Sequence, residues 1–197
     1  MKRKLFLSLI VIFIAIGLLF IACNQTDEET VDIVDFISTS YSQRHFTDKQ
    51  ISDEIIRKVL IAGHRAGSAG NRQPWHFTVI RNKEIIDTLM SNVTEGNVLI
   101  VVSTPAESTN PIFSMDFDAA LASQNIFLAA QALGLGARMY VRPVGDINQY
   151  HLPLLELPSD NLRVKIVIRL GYESDEVDTT TAASPRIPIE EKVNFVN

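Results

Sequence analysis

The chain has almost no cysteine: Cys23 is the only one in 197 residues, so no disulfide can form within it and the fold must rest on its apolar core. It also lacks a basic excess. Eighteen lysines and arginines stand against 23 aspartates and glutamates, a formal net charge of −5. That sign argues against nucleic acid or an anionic lipid surface as a partner. The four histidines, His45, His64, His76 and His151, have no zinc-ligand spacing, and no metal site is expected. A P-loop is absent. "GSAG" at 67–70 places serine directly after glycine, which is not the G-x-S-x-G nucleophile elbow. "GLGAR" at 134–138 lacks a third glycine and closes a helical pattern, whereas a dinucleotide fingerprint opens one after a strand.

What is present starts at the N-terminus. Lys2, Arg3 and Lys4 precede an apolar run of 18 residues, Leu5 to Ala22, broken only by Ser8 and followed by Cys23. This is the pattern of an export signal. "LLFIAC" resembles a bacterial lipobox, in which a small residue precedes the cysteine that is lipidated and becomes the mature N-terminus. The run lies at the lower edge of the roughly 20 residues that span a bilayer, so an uncleaved anchor stands beside the cleaved signal as an alternative. The expected organisation is a lipoprotein signal over 1–22, a polar tether over 23–30 and one domain over 31–197. Cleavage would leave 197 minus 22, or 175 residues, and 15 basic against 23 acidic side chains, a net charge of −8. That length suits one domain with a sizeable core. The expected location is the bacterial cell envelope, with attachment through lipid on Cys23.

Val31, Val34 and Ile37 recur at helical spacing. A second helix is expected from Asp53 to about Arg65, with Ser52 as N-cap, Asp53 and Glu54 in the first turn, and Ile55, Ile56, Val59 and Leu60 as its apolar stripe. "WHFTVIR" reads as a strand, "NKEIIDTLM" as a short helix and "NVLIVVS" as a strand covered on both faces. From Asp116 to Leu133 the chain is alanine-rich and apolar nearly all round, which predicts a buried helix stopped by Gly134 or Gly136. "ARMYVR" and "RVKIVIRL" predict two more strands, the latter with Val164, Ile166, Ile168 and Leu170 on one face, and a helix is expected around 147–156. Residues 171–197 contain Pro185 and Pro188, show little periodicity and should run extended over a surface.

The stretch "GSAGNRQPWHF" at 67–77 carries more specific chemistry than a helix-to-strand connection needs. Gly67, Ser68, Ala69 and Gly70 are small enough for backbone to approach a flat ring. "SQRHF" at 42–46 offers a hydroxyl and a guanidinium, and Arg186 a second cation, the groups that meet phosphate best. Together the three pieces could hold a phosphorylated aromatic ligand. Pro74 and Trp75 are expected to be a strand entry and a core anchor, and His76 to face the other layer.

With these pieces in order, the chain resembles the FMN-dependent nitroreductase family. "SxRxF" leading into a helix and then "GSAGNRQPWHF" is similar to the family's A-P-S-x-x-N-x-Q-P-W region, "DAALASQNIFLAAQALGLGA" to its long central helix, and "LPSDNLRVKIVIRLGY" to its strand ending in Leu-Gly-Tyr. The resemblance implies an α+β fold, a central mixed β-sheet flanked by helices, and a long buried central helix at a homodimer interface with FMN lined by both chains. Carried over by position, it implies that Ser42 and Arg186 contact the phosphate and that Arg44 lies at the pyrimidine edge, where its charge favours the reduced ring. Gly67, Ser68 and Ala69 would approach the ring through backbone, Asn71 would hydrogen-bond it, Gln73 would fix the loop or the ribityl chain, and Gly145 would offer a main-chain donor. No dedicated acid or base is identified. The implied activity passes electrons from NAD(P)H or another reductant to a nitroaromatic, quinone or similar acceptor; the alternative is an anchored lipoprotein that binds flavin or another small ligand without turnover. Ser40 and Ser184 stand where the family usually has cations.

Overall fold

The computed structural model describes residues 32–108, 110, 114–175 and 184–196. The expected signal, Cys23 and the tether lie outside the described residues. Two compact units are distinguished, Met1–Phe36 and Ile37–Asn197, and the second contains the sheet. Helix α1 (Ile33–Thr39) occupies the region where Val34 and Ile37 recur.

Helix starts follow the side chains that cap them. Ser52 accepts the Ile55 N–H ahead of α2 (Asp53–His64), Asn82 accepts the Glu84 and Ile85 N–H groups ahead of α3 (Lys83–Leu89), and Ser114 accepts the Phe117 N–H ahead of α4 (Met115–Ala132). Each satisfies donors that have no partner inside the helix. At the other end of α4, Gly134 takes φ +75°. Its N–H bonds to Gln131 O and the Leu135 N–H to Ala130 O, the paired bonds of a Schellman turn. Gly134 is therefore the stop, and Gly136 opens the next strand.

The sheet contains β1 (His76–Ile80), β2 (Val98–Pro105), β3 (Gly136–Tyr140) and β4 (Leu162–Gly171) in the order β1-β2-β4-β3. The α+β class is as expected. The described strands all pair antiparallel, however, where a mixed sheet is expected. Helix α4 returns the chain to the end where β2 began, so β2 and β3 run in the same direction; β4, last in sequence, then inserts between them.

Helices cover both faces. On one, α2 and α4 bury Ile56, Val59, Ala122 and Ile126 against Val98, Ile100, Val102, Ala137, Ile168 and Leu170. On the other, Ile86 and Leu89 of α3, with Ile147 and Leu155, cover Leu99, Val101, Val164 and Val167. This explains the uninterrupted burial of β2 from Val98 to Thr104. Val164 is on the second face and not with Ile166, Ile168 and Leu170 as expected. The ladder runs Val102 to Ile166 and then Ser103 to Val164, so Lys165 forms a bulge that reverses the alternation. Asn148 clamps the bulge: its Nδ2 donates to Val164 O over 2.9 Å and its Oδ1 accepts the Val164 N–H over 2.8 Å.

The helix expected around 147–156 is present but broken into α5 (Val144–Asp146), a π turn (Ile147–His151) and a 3₁₀ turn (Leu152–Leu155). Pro153 has no N–H to donate and prevents one regular ladder. Residues 184–196 are exposed and carry one short 3₁₀ turn, Ile189–Glu191. Among the described residues no helix is long and apolar enough to cross a membrane, and no His, Cys, Asp and Glu group could hold a metal ion.

Candidate functional site

Ser42 and Arg44 sit on a segment laid along the edge of β3. The Gln43 N–H bonds to Ala137 O over 3.0 Å, and further on Phe46 bridges Glu173. Gln43 itself is buried, and its Oε1 accepts the N–H groups of Arg44 and His45 over 2.7 and 3.0 Å. One inward amide thus closes a turn that leaves Ser42 and Arg44 exposed. Gly136 makes room for it, because a Cβ there would lie 2.6 Å from Gln43 Cγ. Beside it the Tyr41 hydroxyl donates to Glu173 Oε2 over 2.8 Å. Burial, and then that bond, push the Tyr41 phenol up to about 12.

The glycine-rich loop is held from beneath. Asp118, fully buried in the first turn of α4, accepts the Ala69 N–H over 3.1 Å and the Arg72 guanidinium over 3.2 Å. Arg72 Nε also donates to Ala69 O, and Ser68 Oγ accepts the Gln73 N–H. Gly70, Asn71 and Gln73 all adopt positive φ, at 62°, 54° and 48°. For Asn71 and Gln73 this is a strained region that the surrounding bonds enforce. Gln73 Nε2 bonds to Asn71 Oδ1 over 3.1 Å, so two candidates hold one another at the exposed rim of the loop. Behind them Trp75 is buried, stacked on Phe77, and its Nε1 donates to His64 Nδ1 over 3.3 Å. It is a core anchor, as expected. His76 pairs with Ser103 and takes the opposite face from Phe77.

Gly145 lies exposed in α5, with open space where a Cβ would stand. Arg186 is exposed in the C-terminal segment and makes no hydrogen bond or ion pair with another described residue.

The candidates do not converge within one chain. Tyr41 O accepts a bond from Gln131 near the end of α4, whereas Ala69 is bonded to Asp118 near its start. Thirteen residues of helix separate those anchors, roughly 20 Å at the α-helical rise. Ser42 and Arg44 therefore belong to one end of α4, and Gly67, Ser68, Ala69, Asn71 and Gln73 to the other. The residues that fix this geometry, Gln43, Arg72 and Asp118, are not among those singled out from sequence. The one available signal was compositional: an aspartate inside an otherwise alanine-rich buried helix.

A model of the nitroreductase family matches residues 37–97. A protein of Archaeoglobus fulgidus carrying the name NADH dehydrogenase/NAD(P)H nitroreductase is 39% identical over 150 residues, 72% of this chain and 86% of the relative. A like-named protein of Methanothermobacter thermautotrophicus is 33% identical over 169 residues, 81% and 87% of the two chains. Among solved structures, a Desulfovibrio desulfuricans nitroreductase in complex with FMN superposes with a TM-score of 0.72 at 29% identity, covering 84% of this chain and 97% of that one.

Proposed function

The chain belongs to the nitroreductase family, and we propose that it is an FMN-dependent oxidoreductase that takes electrons from NAD(P)H and gives them to an electron-poor small molecule such as a nitroaromatic or quinone. The carrying observation is the pair of half-sites at opposite ends of α4: exposed Ser42 and Arg44 at one, a tightly held loop of small residues at the other. Two copies of the chain packed along α4 would bring one half from each together. The solved relative in complex with FMN supports the ligand.

The donor set fits this group. A phosphate is met by the Ser42 hydroxyl and the Arg186 guanidinium, and a planar ring by the backbone of Gly67, Ser68 and Ala69, with the Asn71 amide and the Arg44 guanidinium at its edge. When bound, FMN supplies the electron-accepting and electron-donating chemistry, which this chain has no side chain to perform. The protein holds the ligand, orients it and excludes water. Arg44 sets its positive charge beside the ring, where it favours the reduced form. Gln73 fixes the loop through Asn71, and Gly145, with open space where a Cβ would stand, would offer its main-chain N–H.

The same reading includes an exported form: a signal over 1–22, lipid on Cys23, a tether over 23–30 and the catalytic domain outside the cytoplasm. Its support is the charge, apolar run and cysteine of the N-terminus. A second reading is carried by Ser40 and Ser184, neutral where the resemblance implies cations: the same envelope protein binds flavin without turnover.

The test is the absorption spectrum of the full-length protein purified in detergent with FMN supplied. A flavin spectrum that bleaches with NADH or NADPH and recovers with a quinone upholds the enzyme; a spectrum that never bleaches upholds the binder. Colourless protein that takes up no FMN overturns both. Arg44→Ala should weaken FMN binding or slow bleaching, and Cys23→Ala should abolish incorporation of labelled fatty acid into the protein, whereas unchanged labelling would remove Cys23 as the lipid site.

A further inference from the structure

Two inward side chains hold the segment that carries Ser42 and Arg44. Gln43 closes one end of it, and Phe46, three residues on, is buried at the other, while Ser42, Arg44 and His45 stay exposed. The Phe46 ring lies against the guanidinium of Arg169, whose Cζ is 4.1 Å from the ring centre. Such a contact strengthens when water is excluded from it. The backbone of the segment is tied to the chain just beyond β4: the Thr47 N–H bonds to Tyr172 O over 2.9 Å and the Ser174 N–H to His45 O over 3.2 Å.

Arg169 is buried, and its donors all go to one turn. Nε donates to Asn97 Oδ1 over 2.8 Å, Nη2 to Thr94 Oγ1 over 2.9 Å and Nη1 to Asn92 O over 3.3 Å. The Asn97 amide passes the connection on, since its Nδ2 donates to Thr47 O over 2.8 Å. One guanidinium thus reaches the segment twice, by its face at Phe46 and through Asn97 at Thr47. Gly171 keeps the room for both: a Cβ there would lie 2.8 Å from Phe46 Cδ1 and 2.7 Å from Asn97 Nδ2.

The three acceptors are neutral. Burial pushes the Arg169 pKa down, opposed by Tyr140 and assisted by the charge of Arg138. For stability alone an apolar side chain of like volume would serve as well, because a guanidinium buried without a carboxylate has its desolvation only partly offset. What arginine adds is shape, a rigid plane with donors along its edge and a face left free for the ring. Neither lysine nor methionine has both.

We propose that Arg169 is a positioning residue for the flavin half-site: by seating Phe46 and Thr47 it fixes where Arg44 stands beside the bound ring. This rests on the flavin reading for what Arg44 meets and not for the seating itself.

The test is a double-mutant cycle between Arg169→Met and Arg44→Ala on full-length protein in detergent, read by the FMN dissociation constant and the rate of bleaching by NADPH. Arg169→Met alone should weaken FMN binding about tenfold, and by less than about twofold once residue 44 is alanine. Arg169→Lys keeps the charge but loses the plane and should behave as Arg169→Met does. Equal losses with and without Arg44, wild-type affinity in Arg169→Met, or full rescue by lysine overturns the proposal. If Arg169→Met does not fold, Phe46→Leu, which stays apolar but offers no ring, takes its place with the same outcomes. Hydrogen exchange on the ligand-free variants gives a readout that needs no flavin: residues 42–47 should lose protection while β1 and β2 keep it. Loss spread through the sheet, or no loss, overturns the seating. If wild type takes up no FMN, the flavin reading fails separately and exchange alone decides.

Discussion

Arg72 and Asp118, 46 residues apart in sequence, form an ion pair across 3.2 Å in which the carboxylate is fully buried and also takes the Ala69 N–H. The loop that carries Asn71 and Gln73 is thereby fastened to the first turn of α4. Arg72→Ala would leave the Asp118 charge buried with one backbone donor, and should destabilise the protein by about 3–5 kcal/mol in chemical denaturation. Replacing both residues by leucine should cost less than the single change, because no buried charge then remains. Equal losses in the two variants would show that the pair is not what holds the loop.

The separation of the half-sites along α4 gives a complementation test. Arg44→Ala and Asn71→Ala damage opposite ends, so a dimer made of one of each contains one site with both lesions and one with neither. Co-expressed variants should recover about a quarter of wild-type flavin reduction, since half of randomly formed dimers are hybrids with one sound site. Activity no higher than the mean of the two variants would mean that both ends serve one chain.

Gly136→Ala drives a methyl group to 2.6 Å from Gln43 Cγ and 3.0 Å from its Cβ. The turn that Gln43 closes should loosen, at a cost of about 1–3 kcal/mol typical of overpacking. Flavin affinity should fall with it, because Ser42 and Arg44 ride on that turn. A variant of unchanged melting temperature and unchanged affinity would contradict this role.

Tyr41 predicts alkaline sensitivity. Its phenol is pushed up to about 12 in the folded protein from an ordinary 10.0. Between those values the unfolded chain releases the proton while the native one keeps it, so stability present below pH 10 declines as pH rises toward 12. Melting temperature measured from pH 9 to 12 should drop less steeply in Tyr41→Phe than in wild type. Parallel curves would remove Tyr41 as the cause.

Much of this architecture is legible in local chemistry. Ser52 marks the start of α2 because a short hydroxyl before an apolar stripe meets the free amides of the first turn, and the unbroken apolar run of β2 announces cover on both faces. The Lys165 bulge is not legible. Residues on both sides of it are apolar and both faces of β4 are buried, so the pattern carries no phase to betray a shift. The site divides in the same way. Ser42, Arg44 and Asn71 stand out by type and order, but Arg72 and Asp118 declare themselves only once the fold brings them together. Arg169 escapes for a related reason: one arginine in a strand is ordinary until the fold lays the Phe46 ring against it.

The insertion of β4 between β2 and β3 bears on how the chain is made. Synthesis reaches the central strand last. Until residues 162–171 emerge, β3 has no strand partner and β2 is paired on one edge only. The nascent chain is consequently held open by topology itself, since the contacts that close the sheet are distant in sequence and slow to form. Such a delay makes the last strand the committing step of assembly.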